Sequence, residues 1–186
     1  MRIWYTFFLL STLLLGACGG EGPPAKEDTG PKTIFHTTPP SQLYFKNIRS
    51  TSYYAERKKH SEMDIYRLRK FSTTRKRPIL YPLIIQNWLE DEAYLFIEPN
   101  DYQYTFVDKF PIRWTEDGEE QNLILPYRGK DEELAFAEAI YKALLAGHKL
   151  EIEVKEQGWV PLFQEGSDRQ HFLVTMRDYL RLTERT

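Results

Sequence analysis

The spacing of apolar residues changes along this chain, and each change predicts a different kind of element. Ile65 to Phe71 and Ile79 to Leu89 are rich in β-branched, aromatic and other apolar residues, which predicts two strands. The polar run Ser72 to Pro78 predicts the turn between them. Ala93 to Ile97 is a short continuous apolar stretch, stopped by Glu98-Pro99-Asn100-Asp101. Tyr102 to Val107 alternates aromatic with smaller residues and predicts another strand, and Phe110 to Trp114 predicts the next. A turn is expected at Thr115-Glu116-Asp117-Gly118, and Leu123-Ile124-Leu125 closes the series before Pro126.

The period then lengthens. Leu134, Ala137, Ile140, Tyr141, Leu144 and Leu145 recur at three- and four-residue spacing, which predicts an amphipathic helix over Asp131 to Ala146. Asp131, Glu132 and Glu133 suit the positive end of its dipole, and Gly147 is placed to end it. Lys149 to Lys155 alternates strictly, with Leu150, Ile152 and Val154 on one face: a half-buried strand. Trp159 to Phe163 is its expected partner across Glu156-Gln157-Gly158. Ser167 with Gln170 reads as a capping box, and Phe172, Leu173, Met176, Tyr179 and Leu180 give a final helix one apolar face. The predicted class is α+β: an antiparallel, strand-rich layer packed by two C-terminal amphipathic helices, in a single domain over residues 41–186. The helix ending in Leu144-Leu145-Ala146-Gly147, the strand Lys149 to Lys155 and the closing Phe172 to Leu180 segment together resemble the invasion-associated locus B family of small periplasmic proteins. That resemblance spans residues 79–182 and implies a fold only. The paired cysteines expected there are absent here, and no functional residue follows from it.

At the other end, a positive start (Met1-Arg2) and an apolar run from Ile3 to Leu15 lead into Leu15-Gly16-Ala17-Cys18. Charge, apolar stretch and small residues in that order form a secretory signal. The run is shorter than the roughly 20 residues that a membrane span needs. Its ending resembles the lipobox of bacterial lipoproteins. The resemblance implies that residues 1–17 are a signal peptide, with Leu15, Gly16 and Ala17 as recognition residues. It also implies that the Cys18 thiol takes diacylglycerol and that its new amino terminus is acylated, with palmitate a typical chain. Two or more acyl chains anchor durably, so membrane lipid is the first expected partner and the cell envelope, outside the cytoplasm, the expected location. Gly19 is not Asp, which in a Gram-negative organism favours the outer membrane. Residues 18–40, rich in Gly, Pro, Thr and charge, read as a disordered tether that sets reach.

Composition narrows the chemistry. Cys18 is the only cysteine, so the remaining chain has no disulfide, thiolate metal site or cysteine nucleophile. A formal charge of -2 argues against a nucleic-acid partner, while 41% hydrophobic residues with 12 Tyr and 11 Phe are enough for a core. His36, His60, His148 and His171 show no metal-ligand spacing. Glu90-Asp91-Glu92 offers neighbouring carboxylates for acid–base work, but adjacent residues on a turn point into water. There is no Gly-x-Ser-x-Gly elbow and no glycine-rich phosphate loop. No catalytic residue, metal or cofactor is predicted.

Charge is segregated instead. Lys46 to Arg77 is strongly basic, and Glu90 to Glu120 strongly acidic. Arg57, Lys58, Lys59, Arg69, Lys70, Arg75, Lys76 and Arg77 form a basic patch suited to an envelope protein or anionic envelope component, unless the two zones pair with each other. Tyr53, Tyr54, Tyr102, Tyr104 and Trp114 fit either a sugar- or peptide-binding surface or, at strand spacing, the core and its rim. The expected function is therefore a membrane-anchored, non-enzymatic binding module. The alternative is a lipid-anchored hydrolase or small-ligand receptor whose site is assembled from distant residues.

Overall fold

A computed structural model describes residues 34–57, 62–69, 74–102 and 104–185. Leu15, Gly16, Ala17 and Cys18 lie outside the described residues, as do most of the tether, Lys58, Lys59, His60 and Lys70. The first helix is α1 (Pro39–Tyr44). Two prolines at its start supply the helical φ, and Thr38 and Ser41 cap each other: Ser41 N–H donates to Thr38 Oγ1 (3.3 Å) and Thr38 N–H to Ser41 Oγ (3.0 Å). The helix runs on as a π-helix over Phe45–Arg49 and a short 3₁₀ turn over Ser50–Ser52.

Four strands then pair in chain order as an antiparallel meander: β1 (Tyr53–Arg57), β2 (Met63–Leu68), β3 (Leu80–Asn87) and β4 (Glu92–Pro99). Pro82 sits in an inner strand, but beyond Ile84, the last residue of β3 paired with β2, where no ladder bond needs its missing N–H. A second antiparallel sheet holds β5 (Ile112–Glu116), β6 (Glu119–Leu123), β7 (Glu151–Val154) and β8 (Gly158–Pro161) in the order β6-β5-β7-β8. Between β6 and β7 runs α2 (Lys130–Leu145), and α3 (Gly166–Leu182) closes the fold. The architecture is α+β, with the strands divided between two sheets. Ile84, Leu95 and Ile97 of the first sheet join Ile140 and Leu144 of α2, Phe172, Met176 and Tyr179 of α3, and Ile112 and Ile152 of the second sheet in one buried core. Full burial of each such side chain is worth about 1.5–3 kcal/mol. Among the described residues no helix is long and apolar enough to cross a membrane.

Several expectations hold in detail. Asp117 and Gly118, both at positive φ (51° and 85°), form the two-residue hairpin turn between β5 and β6. Gly147 (φ 85°) ends α2 through a Schellman arrangement: its N–H donates to Leu144 O and that of His148 to Ala143 O. Leu150, Ile152 and Val154 are buried, and β8 pairs with β7 across the expected turn.

Others are corrected. Tyr102 to Val107 is not a strand. Its rings cluster on one another, with Tyr102 against Tyr104 (5.5 Å) and Phe106 (5.9 Å). Among its described residues the pairing is one bridge, Phe106 to Val154, with Val107 N–H donating to Glu153 O and Lys155 N–H to Thr105 O. The strand expected at Leu123–Leu125 lies earlier, over Glu119–Leu123; as an edge strand registered by the tight turn, it needs little apolar surface. Ser167 is no capping residue: α3 begins at Gly166 after Glu165, because Asp168 turns inward to an arginine. Residues from Phe35 onward already belong to the fold. Phe35 and Thr37 are buried, Phe35 O accepts from Ala93 N–H (2.9 Å) and Thr37 N–H donates to Asp91 O (2.7 Å), so the fold takes in residues before 41.

Candidate binding cleft

A cleft of about 360 Å³ lies where α1 and the π-helix cross the end of the first sheet, lined by Gln42, Lys46, Arg57, Asp64, Tyr66, Gln86 and Trp88. The strand period puts its floor together. Asp64 and Tyr66 are two residues apart on β2 and share a face, and the register sets Asp64 opposite both Arg57 of β1 and Gln86 of β3. Arg57 grips Asp64 with two parallel bonds, Nε to Oδ1 and Nη2 to Oδ2, each 2.7 Å. Asp64 is 10% exposed at its side chain and Arg57 73%. The Arg57 guanidinium thus holds the Asp64 carboxyl below the usual carboxylate range. Burial, with Asp64 nearby, pushes the Tyr66 hydroxyl up.

The walls are set by packing beneath them. Phe45 of the π-helix meets Tyr66 edge-on at 5.1 Å and Tyr53 at 5.6 Å, and this seats Lys46 over the cleft. π-Helices are rare and often mark functional positions. Gln42 Nε2 donates to Thr37 Oγ1 and Asp91 Oδ1 (2.8 Å each), tying α1 to the β3–β4 turn that carries Trp88. Trp88 is 53% exposed, with Leu89 and Met63 also open to solvent nearby in the chain and sheet. Among the described residues Lys46 forms no ion pair. The cleft therefore offers a cation, an ion pair, an amide and a half-open indole. A carboxylate pinned in its ionised form is a poor proton carrier, so this chemistry suits binding.

The basic residues that sequence singles out are dispersed. Arg57 is in the cleft. Arg69 donates to Tyr53 O (2.8 Å) with its guanidinium 4.9 Å over the Tyr54 ring, beside a second depression also lined by Arg67, Tyr81 and Glu98. Arg75 pairs with Asp101 (3.2 Å) and Lys76 is exposed. Arg77 turns inward, 16% exposed, onto Asp168 (2.8 Å) and Glu165 (2.9 Å). Arg67 with Glu98 and Arg75 with Asp101 join the basic zone to the acidic one. Of the aromatic candidates, Tyr53 is core, Tyr54 is exposed, and Tyr102, Tyr104 and Trp114 are half-buried.

The remaining candidates hold the fold together. Tyr94 Oη donates to Glu92 (2.7 Å) and lies 3.2 Å from Glu90, while Lys130 pairs with Glu92 and Asp91 accepts from Gln42. The His36 backbone pairs with that of Glu92 in an isolated β-bridge, and the His148 side chain lies 3.6 Å from Glu116. No group of three His, Cys, Asp or Glu side chains is placed to hold a metal among the described residues. The buried carboxylates serve the same end. Glu133 accepts Ile97 N–H on the free edge of β4 (2.9 Å) and contacts Arg128, whose Nη2 donates to Ile97 O (2.8 Å). Asp178 accepts from Arg49 (2.7 and 2.8 Å) and Tyr53 Oη (2.6 Å).

Sequence reasoning named only Arg57 of this lining and missed Gln42, Lys46, Asp64, Tyr66, Gln86 and Trp88 as site residues. Asp64 is one of three acids in the basic stretch, with Glu56 and Glu62, and nothing in the string of residues sets it apart from them. Comparison with protein families, with characterised proteins and with solved structures finds no match to this chain.

Proposed function

We propose that this chain is a lipid-anchored envelope protein whose folded part is a non-enzymatic binding module, with the cleft as its binding face. Cys18, in the sequence Leu15-Gly16-Ala17-Cys18, carries the anchor, and the Gly- and Pro-containing residues after it give reach. The outer membrane is the favoured location in a Gram-negative host, and an envelope component is the partner. The observation that carries the binding role is the contrast in saturation: Glu133 and Asp178 are buried and bonded to backbone or side chain, while Lys46 and Trp88 stand open around the cleft.

Two measurements in a bacterial host test this. Labelled palmitate enters the parent and not Cys18→Ser, which leaves the membrane fraction; equal fractionation of the two proteins refutes the anchor. A photo-crosslinking residue at Gln86 forms adducts in the envelope that Trp88→Ala reduces. Adducts indifferent to Trp88→Ala refute the cleft as the binding face.

A further inference from the structure

The functional groups of the cleft select among ligand classes. An indole half open to solvent presents a flat, amphipathic face of the kind that covers the C–H face of a sugar ring. Sugar hydroxyls both donate and accept, so a site for them needs both kinds of partner at fixed positions. Asp64 accepts only, Lys46 and Arg57 donate only, and Gln86 and Tyr66 do both. Asp64 and Arg57 are mutually locked, which fixes their remaining lone pairs and N–H groups in direction. An acyl chain would leave these polar groups dry and unpaired, and a bare inorganic anion would make no use of Trp88.

The charge balance adds a further selection. Lys46 and Arg57 against Asp64 leave one cationic charge in excess within the lining. Because Arg57 is engaged by Asp64, that excess resides on Lys46, a compact ammonium without an ion-pair partner among the described residues. The volume, about 360 Å³, falls at the small end of the roughly 300–1,000 Å³ typical of ligand sites.

From this geometry we infer that the cleft binds an acidic glycan, with a pyranose ring on Trp88 and its carboxylate on Lys46. The inference rests on the cleft being the binding face. Calorimetric titration of the full chain in detergent with tri-galacturonate tests it, with galactotriose and inorganic phosphate as the neutral-sugar and anion-only probes. Tri-galacturonate is expected to bind saturably and at least about tenfold more tightly than either of the others. Lys46→Glu and Trp88→Ala should each lower that affinity by about tenfold or more. Lys155→Glu, an exposed site outside the cleft lining, should leave it unchanged. Thermal midpoints of the variants confirm that each is folded. No saturable binding, equal affinity for galactotriose or phosphate, or full affinity in a folded Trp88→Ala protein would overturn the inference. Gln86 crosslinks that depend on Trp88, obtained without glycan binding, would reject the acidic glycan while leaving the binding face in place.

Discussion

Two ends of the first sheet carry the same pair of residue types in opposite settings, one buried and one open to solvent. At the β4 edge, Glu133 is fully buried, and with Arg128 it occupies the N–H and C=O of Ile97 that a fifth strand would otherwise pair. This blunts an edge that could template association with another chain. At the β1–β2 corner, Asp64 and Arg57 form an equally well-shaped pair, but Arg57 is largely exposed and open groups surround it. Carboxylate–guanidinium pairing alone therefore does not distinguish a structural tie from a site. What distinguishes them is burial, together with how many neighbouring polar groups remain available.

The largest expected effect lies on the buried side. Glu133→Ala leaves the Ile97 N–H without its acceptor and Arg128 without its carboxylate, and should cost about 3 kcal/mol in urea unfolding. A loss below about 0.5 kcal/mol would show that the β4 edge needs no such plug. Tyr53→Phe removes one short bond to Asp178 and keeps the ring packing, so about 1.5 kcal/mol is expected by the same measurement.

The pH dependence sharpens the contrast because the two acids shift in opposite directions. Asp64 has its folded value lowered, so its contribution is present above its unfolded value, about 3.9, and is lost as pH falls through the folded value. Asp64→Asn should flatten the loss of stability on acidification. Burial raises Glu133, whose ionisation weighs against the folded state as pH rises through and above about 4.3. Glu133→Gln should steepen the acid-side loss. Chemical denaturation at a series of pH values reads both, and parallel profiles for the two variants would contradict the assignment. Smallest of all should be Trp88→Ala, at about 1 kcal/mol, since half of that side chain already meets water.

How much of this was legible in the sequence depended on the range of the interactions. The α2 helix, its Gly147 stop, the Asp117-Gly118 turn and the β7–β8 hairpin all rest on local spacing, and local spacing is visible in a string of residues. β1 and β6 were harder, because edge strands made of Tyr-Tyr-Ala-Glu-Arg and Glu-Glu-Gln-Asn-Leu carry no apolar alternation. Ser167 misled because the long-range pull of Arg77 on Asp168 outweighed a local capping pattern. The cleft was nearly invisible. Gln42, Asp64 and Gln86 meet only through strand register and helix crossing, and Trp88 was hidden at the end of an apolar run. Arg57 and Arg77 looked alike in one basic stretch, yet one opens to solvent and the other is an internal strut.

The most direct test of the cleft uses 5-fluorotryptophan incorporated throughout the chain, with the Trp88 resonance assigned by Trp88→Phe. Titrated with tri-galacturonate, the fluorine signal of Trp88 should shift saturably while those of Trp114 and Trp159 stay in place. A Trp88 signal that never moves, or movement confined to Trp114 or Trp159, would contradict the account.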